Sequence, residues 1–345
     1  MPPIYIIAEA GVNHNGSTPR ALDLVRAAAA AGADAIKFQT FSADRLARPG
    51  AATADYQQAA TGDKDQFAML QRLEMSPEMH DAVLVACRTH RIEFLSTPFD
   101  PQAADYLVEL GVRRLKVPSG ELTNPVFIRH LAAKNLPLIV STGMADLAEV
   151  ATALTWIRAT RASLGLAPDL AGTVSVLHCT SNYPTAPADV NLRAMETLRT
   201  QFALPVGYSD HTLGLTVPIA AAALGAVIIE KHFTLDRTLP GPDHQASLEP
   251  AELTALVQAI RTVEAALGTG TKQPVASELP VRTVVRRSIF LRRPVAAGVP
   301  LVADDLELLR PGDGIAAQDY DAVLGRRLAG ARLPGHKLAW EDLAR

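Results

Sequence analysis

The sequence lacks the features that mark several classes of protein. Its 345 residues include only two cysteines, which excludes a disulfide framework and a cysteine-rich zinc site. No apolar run approaches the roughly 18 residues that a membrane-spanning helix needs, and the N-terminus has no basic leader of the signal-peptide kind. The net charge is −3 with both signs mixed, so there is no basic stripe for nucleic acid. We therefore expect a cytoplasmic globular protein with neither a nucleic-acid nor a membrane partner.

Apolar residues are abundant, at 48% of the chain, and they follow a repeating pattern. Short β-branched runs alternate with alanine-rich segments of helical spacing as far as residue 268. The runs end at Glu9, Gln39, Thr97, Val117, Thr142, Cys179, Ser209 and His232. Eight strand–helix units predict an α/β fold, a TIM (β/α)8 barrel.

Two histidines stand where predicted strands end, at the face on which barrels build active sites. His211 and His232 follow the seventh and eighth strands, which are neighbours in a barrel. Their imidazoles are therefore expected to converge, although 21 residues separate them along the chain. Two imidazoles suit Mn²⁺, Fe²⁺, Co²⁺ or Zn²⁺, and two protein ligands leave positions open for water and substrate. The pattern predicts a catalytic metal.

Glu230 precedes His232 by two residues, so strand alternation places both on one face. Its carboxylate is expected either to support the metal site or to form a salt bridge inside the barrel. The sequence leaves both alternatives open.

Two lysines and several hydroxyl groups share the strand ends. Lys37 lies on one face with Gln39, and Lys116 ends the fourth strand. The hydroxyl residues are Thr97, Ser119, Ser141, Ser181 and Ser209. Because a buried lysine is costly without an anion, this set predicts a cradle for a phosphate and a carboxylate. The alternative is that each Ser or Thr only caps the helix that follows.

Carboxylates complete the predicted site. Glu9 and Glu121 are associated with the first and fourth strand ends, and we assign them to catalysis because a general acid or base is otherwise missing. Glu121 precedes a helix, where it could instead be a charge favoured by the helix dipole. Asp243, in a loop rich in Pro and Gly after the eighth strand, is a candidate for hydrogen-bonding sugar hydroxyls.

The helical periodicity ends after the eighth unit. Residues 271–284 are typical of a linker, between a barrel domain of residues 1–270 and a module of residues 285–345. The module has short strands and turns in about sixty residues, too few for strong stability unless it docks on another surface.

The motifs, taken in order, resemble those of the sialic acid synthase family, which makes N-acetylneuraminate- and legionaminate-type nonulosonates. They are "IAEAGVNHNGS", "KFQTF", "STPFD", "KVPSGE", "STGMA", "LHCTSNYPT", "GYSDHT", "EKHFTLD" and "GPDHQASLEP". The C-terminal module, with "LLRPGDGI", resembles an antifreeze-protein-like (SAF) domain.

The resemblance implies an activity and an assembly. It implies a TIM barrel followed by a SAF domain, and condensation of phosphoenolpyruvate with an N-acylated mannosamine-type sugar. A divalent metal is implied, Mn²⁺ first, with Mg²⁺ or Co²⁺ as alternatives. A homodimer is also implied, in which the SAF domain caps the barrel of the other subunit.

The resemblance also assigns residues. His211 and His232 match the metal ligands, and Glu121 matches the catalytic carboxylate. The phosphoenolpyruvate-binding set is matched by Lys37, Thr97, Lys116, Ser119, Ser141 and Ser209. The sugar-binding set is matched by Glu9, Gln39, Tyr183 and Asp243, and Arg310 matches an arginine that reaches the other subunit's site. Two positions depart from the family: Ser181 stands where some members have Asn, and Val284 where one branch has an aromatic residue.

We expect an N-acetylneuraminate synthase. An N,N'-diacetyllegionaminate synthase remains the alternative, because no motif distinguishes the substituents of the two sugars. Two more remote alternatives are a Schiff-base aldolase with Lys116 as nucleophile and a sugar- or ice-binding protein that uses the barrel as a scaffold. The aldolase would not need the two histidines.

Overall fold

The computed structural model describes residues 3–54, 57–58 and 61–344, and the chain divides into two compact units. The first unit is Met1–Gly268 and the second is Thr269–Arg345. The helix Glu278–Val285 begins within the segment that the sequence assigns to a linker and ends one residue beyond it. No helix among the described residues is both long enough and apolar enough to cross a membrane.

The first unit is built around eight parallel strands, which confirms the predicted TIM-barrel architecture. They are β1 Tyr5–Gly11, β2 Ala35–Thr40, β3 Glu93–Pro98, β4 Leu115–Val117, β5 Leu138–Ser141, β6 Val174–Cys179, β7 Val206–Asp210 and β8 Ile228–His232. The hydrogen-bonded order is β3-β2-β1-β8-β7-β6-β5-β4, and the edge strands β3 and β4 pack side by side. The strands β7 and β8 are direct neighbours; His211 directly follows β7, and His232 is the last residue of β8.

Helices alternate with these strands. Among the described residues they are α1 Thr18–Ala30, α2 Ala43–Leu46, α3 Gln66–Gln71, α4 Pro77–His90, α5 Pro101–Glu109, α6 Pro125–Ala133, α7 Leu147–Ser163, α8 Ala194–Phe202, α9 Thr216–Ala223 and α10 Pro250–Leu267. Side chains of Ser17, Ser76, Asp100, Asn124 and Asp146 accept the N-terminal cap hydrogen bonds of α1, α4, α5, α6 and α7.

The five strand-end hydroxyl residues do not cap these helices. No described α-helix has Thr97, Ser119, Ser141, Ser181 or Ser209 as its N-cap residue. The capping alternative is therefore wrong for this set, and their hydroxyl groups are left for other contacts.

The barrel interior has an apolar layer with a polar layer directly above it. The apolar layer contains Ile7, Ala35, Leu95, Ile139, Leu177 and Ile228. Inward-pointing side chains recur every second residue, so the next position on each of these strands also faces inward. Those positions are Glu9, Lys37, Thr97, Ser141, Cys179 and Glu230, all of them buried. The charged groups therefore lie directly above a layer of buried apolar side chains.

A second buried charge pair lies on the outer side of β7 and β8. The Nζ of Lys231 is 2.6 Å from Oδ2 of Asp210, with both side chains essentially inaccessible to water. Tyr208 donates its hydroxyl to Oδ1 of Asp210 at 2.9 Å, and Asp210 is the registered partner of Lys231. Burial lowers the pKa of Lys231, although the attraction of Asp210 opposes this. The pair joins the two strands behind the histidines.

The second unit has its own small core. Its strands β9 Ser288–Leu291 and β10 Leu306–Leu309 are antiparallel, and its helices are α11 Glu278–Val285 and α12 Tyr320–Val323. Buried side chains such as Ile289, Leu306 and Leu338 form the core. Short bridges connect the remaining segments, as the sequence predicts for a module of strands and turns.

Candidate active site

A cavity of about 510 Å³ opens at the C-terminal ends of the barrel strands. Its lining includes every site residue that the sequence predicts within the first unit: Glu9, Lys37, Gln39, Thr97, Lys116, Ser119, Glu121, Ser141, Ser181, Tyr183, Ser209, His211, His232 and Asp243. Arg310 lies in the second unit, where it is exposed. A larger cavity of about 950 Å³ runs beside α7 and α8 and shares only Met144, Cys179 and Ser181 with the first. The convergence of titratable groups makes the smaller cavity the candidate site.

Buried ion pairs form the floor of this cavity. Lys37 Nζ is 2.6 Å from Oε2 of Glu9 and 3.8 Å from Oε2 of Glu230. Lys116 Nζ is 2.8 Å from Oε1 of Glu230, which also accepts the Ser209 hydroxyl at 2.9 Å. Lys37 also donates to Thr97 Oγ1 at 2.8 Å. Glu230 therefore forms a salt bridge inside the barrel, which was the second of the two alternatives, and both lysines have carboxylate partners.

The two carboxylates on the floor differ in their protonation. Burial raises the pKa of Glu9 to about 7, against the attraction of Lys37 and with repulsion from Glu230. Burial alone would raise the pKa of Glu230, but Lys116 and Lys37 together lower it to about 2. At neutral pH one carboxylate is ionised and the other is only partly so. The side chains of Lys37 and Lys116 line the cavity beside these carboxylates, where they can contact an anionic ligand.

The motif histidines face each other across the boundary between β7 and β8. Their ring centroids are 5.4 Å apart, and the Tyr183 ring lies 4.1 Å from that of His211. Burial lowers the pKa of His211 to about 4 and that of His232 well below its usual value, so both are neutral at pH 7.

The hydrogen bonds of these histidines suit metal ligands. Nδ1 of His211 is 2.6 Å from the Thr180 carbonyl, which can only accept, so the Nε2 of that ring carries the lone pair. Nδ1 of His232 is buried without a hydrogen-bond partner among the described residues, and Asp243 Oδ2 is 3.7 Å away. The described residues contain no group of three or more His, Cys, Asp or Glu able to hold a metal. The pair could hold a divalent ion with positions left for other ligands.

Serine hydroxyls converge on Gly143 on the β4–β6 side of the cavity. Its N–H donates to Ser119 Oγ at 3.0 Å, and Ser119 Oγ lies 3.3 Å from Cys179 Sγ. A Cβ on Gly143 would come within 2.3 Å of Ser181 Oγ and 2.9 Å of Ser119 Oγ. Ser141 Oγ is buried without a hydrogen-bond partner among the described residues. Together with Lys116, these hydroxyls form a cradle suited to a phosphate.

Polar groups on the β1–β2 side converge on another glycine. A Cβ on Gly11, whose φ is +52°, would lie 3.3 Å from Glu9 Oε1, 3.4 Å from Asp243 Oδ2 and 3.5 Å from Gln39 Nε2. Burial raises the pKa of Asp243 to about 6. Three side chains matched to sugar binding therefore lie together, next to His232. Glu121 lies at the rim and accepts a hydrogen bond from Asn124 Nδ2 at 2.7 Å.

One part of the lining, which we call the apolar wall, is not predicted from the sequence. It consists of Val12, Leu46, Met69, Leu70, Leu73 and Phe99, which line the cavity and belong to a local hydrophobic cluster. The amide side chains of Gln57 and Gln66 line the cavity beside it. Most of these residues lie between β2 and β3. The length of the connection between β2 and β3 could have indicated this part of the site, because it exceeds what a crossover helix requires.

We predict that Gly143→Ala weakens phosphoenolpyruvate binding about 10- to 100-fold, because its methyl group displaces Ser119 or Ser181 and hydrogen bonds to charged groups contribute about 1.5–3 kcal/mol. Gly120→Ala is the matched control, since it lines the same cavity and its Cβ would meet no atom within 4 Å. Isothermal titration calorimetry of both variants is the measurement. Equal affinity in the two variants would contradict the cradle.

Comparisons with known proteins support the family resemblance that the sequence motifs indicate. Residues 24–272 match the NeuB family, and residues 286–344 match the SAF domain. The chain is 50% identical over 340 residues to the N,N'-diacetyllegionaminic acid synthase of Legionella pneumophila, covering 98% of this chain and 94% of that protein. It is 42% identical over 327 residues to the enzyme of the same name from Campylobacter jejuni, covering 94% of this chain and 96% of that protein.

A solved structure agrees with these relatives. The N-acetylneuraminic acid synthetase of Leptospira borgpetersenii superposes with a TM-score of 0.70 and 35% identity, covering 81% of this chain and 90% of that one. The profile matches span most of the chain, and they fall on the barrel and on the C-terminal module separately. The chain therefore belongs to the NeuB family of sialic and legionaminic acid synthases and is a transferase that condenses phosphoenolpyruvate with a sugar.

Proposed function

We propose that the protein is an N,N'-diacetyllegionaminic acid synthase, which joins phosphoenolpyruvate to 2,4-diacetamido-2,4,6-trideoxymannose. The observation that carries this proposal is the 50% identity to the Legionella enzyme over 98% of the chain. From the sequence we expected an N-acetylneuraminate synthase first, with this activity as the alternative. The relatives favour the alternative, because both legionaminic acid synthases are more similar to this chain than the mouse N-acetylneuraminate-9-phosphate synthase, at 34% identity.

The proposed reaction forms one C–C bond and releases phosphate. C3 of phosphoenolpyruvate attacks the aldehyde carbon of the sugar, water adds to C2, and the C–O bond to phosphate breaks. Lys116 and the hydroxyls around Gly143 bind the phosphate and carboxylate, while Lys37 adds positive charge at the floor. Glu9, Gln39 and Asp243 orient the sugar through its hydroxyl and amide groups.

Proton transfer is assigned to carboxylates of this chain. Glu121 stands at the rim, where it can exchange protons with solvent, and we propose it as the catalytic acid–base group. The pKa of Glu9, raised by burial to about 7, also allows it to hold or release a proton at neutral pH. Tyr183 packs against both histidine rings and closes that side of the site.

We propose further that His211 and His232 bind a divalent metal, Mn²⁺ first, with Mg²⁺ or Co²⁺ as alternatives. Their neutral rings, their proximity and an Nδ1 of His232 that has no hydrogen-bond partner in the described part of the chain support this. A bound metal would supply Lewis-acid polarisation of the aldehyde oxygen.

The second unit is proposed to act in a homodimer, where it caps the barrel of the other subunit and Arg310 reaches that site. Apolar side chains at the barrel mouth support a covering element, since Met144, Val126 and Leu213 are 74%, 70% and 63% exposed. Arg310 itself is exposed beside Leu309, which is 45% exposed.

The activity is tested with phosphoenolpyruvate, Mn²⁺ and each of two aldehydes, following phosphate and keto acid together. We expect turnover of 2,4-diacetamido-2,4,6-trideoxymannose with a kcat/KM at least about 10-fold above that for N-acetylmannosamine. A preference for N-acetylmannosamine would restore the first expectation of the sequence analysis.

The metal site is tested by direct Mn²⁺ binding, measured by electron paramagnetic resonance. His211→Ala and His232→Ala should each bind Mn²⁺ at least about 100-fold more weakly, because each removes one of two protein ligands. His90→Ala, an exposed histidine on α4, is the matched control and should bind as the wild type does. Unchanged binding in His232→Ala would contradict the assignment.

The proposed dimer is tested by mixing two inactive variants, Arg310→Ala and His211→Ala, under conditions of subunit exchange. A heterodimer then has one barrel with intact histidines that receives Arg310 from the other chain. Random pairing makes half of the dimers heterodimers with one working site each, so about a quarter of wild-type activity should return. No recovery after demonstrated exchange would mean that Arg310 does not act across subunits.

A further inference from the structure

The apolar wall has no role in the chemistry described above, yet it occupies one side of the reaction cavity. Val12, Met69 and Leu73 are buried, while Leu46, Leu70 and Phe99 are partly buried and pack against them. All six line the same cavity as the ion pairs of the floor. A cluster of apolar side chains beside the charged and hydroxyl groups of the site favours a ligand with apolar groups at that position.

The place of the wall in the barrel indicates which part of the ligand it contacts. The phosphate cradle belongs to β4, β5 and β6 and the loops that follow them. The wall belongs to the loops after β1, β2 and β3, on the other side of the barrel. Glu9, Gln39 and Asp243 lie at β1, β2 and the loop after β8, next to the wall. A ligand held by phosphate in the cradle therefore has its sugar on the side of the wall.

The two candidate sugars differ in apolar character at the end remote from the aldehyde. N-acetylmannosamine has a hydroxyl at C4 and a hydroxymethyl group at C5. The 2,4-diacetamido-2,4,6-trideoxy sugar has an acetamido group at C4 and a methyl group as C6. It therefore presents two additional methyl groups, and burying methyl groups against aliphatic side chains is favourable.

From this arrangement we propose that the apolar wall is the specificity determinant for the C4–C6 end of the sugar, and that it takes the C6 methyl and the 4-acetamido methyl. This inference rests on the proposed function. Gln57 and Gln66, beside the wall, supply amide groups that can pair with the 4-acetamido group. A C6 hydroxyl in contact with the aliphatic side chains of the wall would lose its water and gain no hydrogen bond from those side chains.

Leu70→Asn is the central test, because Leu70 is partly buried and asparagine has a similar size. The readouts are kcat/KM for both aldehydes and KM for phosphoenolpyruvate. We expect kcat/KM for the trideoxy sugar to fall at least about 10-fold, with a change below about 3-fold for N-acetylmannosamine, since a single apolar contact discriminates substrates by roughly 10- to 200-fold. The KM for phosphoenolpyruvate should remain unchanged.

Three further variants complete the design. Leu70→Met keeps the wall apolar and should retain the wild-type preference. Leu224→Asn makes the same polar change at an exposed leucine directly after α9, outside the cavity, and should also retain it. Leu46→Asn alters the wall at a second partly buried position, so the test does not depend on one variant folding.

The outcomes separate this inference from the proposed function. Suppose that the wild type prefers the trideoxy sugar. If the ratio of kcat/KM for the trideoxy sugar to kcat/KM for N-acetylmannosamine in Leu70→Asn and in Leu46→Asn equals the wild-type ratio, the wall does not set specificity and the inference fails alone. If both aldehydes lose activity equally in these variants, the wall has only a structural role, and the inference again fails alone. If the wild type turns over neither aldehyde with phosphoenolpyruvate, the proposed function fails instead.

Discussion

Side chains that point into a closed barrel are two residues apart along each strand, and the chemistry of this protein depends on that spacing. Five strands place an apolar residue at one inward position and a polar or charged residue at the next, and β6 places Cys179 there. The apolar layer seals the barrel below the site, so ion pairs above it lie in a medium of low polarity. In such a medium, charges interact more strongly and hydrogen bonds are more costly to leave unmade.

The floor of the site shows how the protein accommodates buried lysines. Removing two ammonium groups from water would be unfavourable without partners, and Glu9 and Glu230 supply them. The pairing is unequal, because one carboxylate is held fully ionised while burial raises the pKa of the other to about 7. Both lysines therefore have carboxylate partners inside the barrel, and their side chains line the cavity where an anionic ligand can contact them.

Much of this arrangement can be predicted from the sequence. The β-branched runs fix eight strands, and the rule that strand ends converge is enough to bring His211 and His232 together. The pairing of Lys116 with Glu230 could not be predicted, because it depends on distances across the barrel between strands that are not neighbours. The apolar wall was missed for a different reason: the segment between β2 and β3 has no single periodicity, and its leucines resemble ordinary core residues. The helix Glu278–Val285 was missed because Pro and Gly obscure its short pattern.

The ion pair between Asp210 and Lys231 has a consequence for how such an enzyme can change over time. Each of the tripeptides "SDH" and "EKH" interleaves inward-facing groups of the site with an outward-facing charge of the structural pair. Insertion or deletion of one residue would turn the histidines into the helical layer and the structural charges into the cavity, losing fold and chemistry together. These two strands can therefore evolve by amino-acid substitution but not by insertion or deletion. New substrate preferences are more accessible through the connection between β2 and β3, which can vary in length and composition while the barrel stays intact.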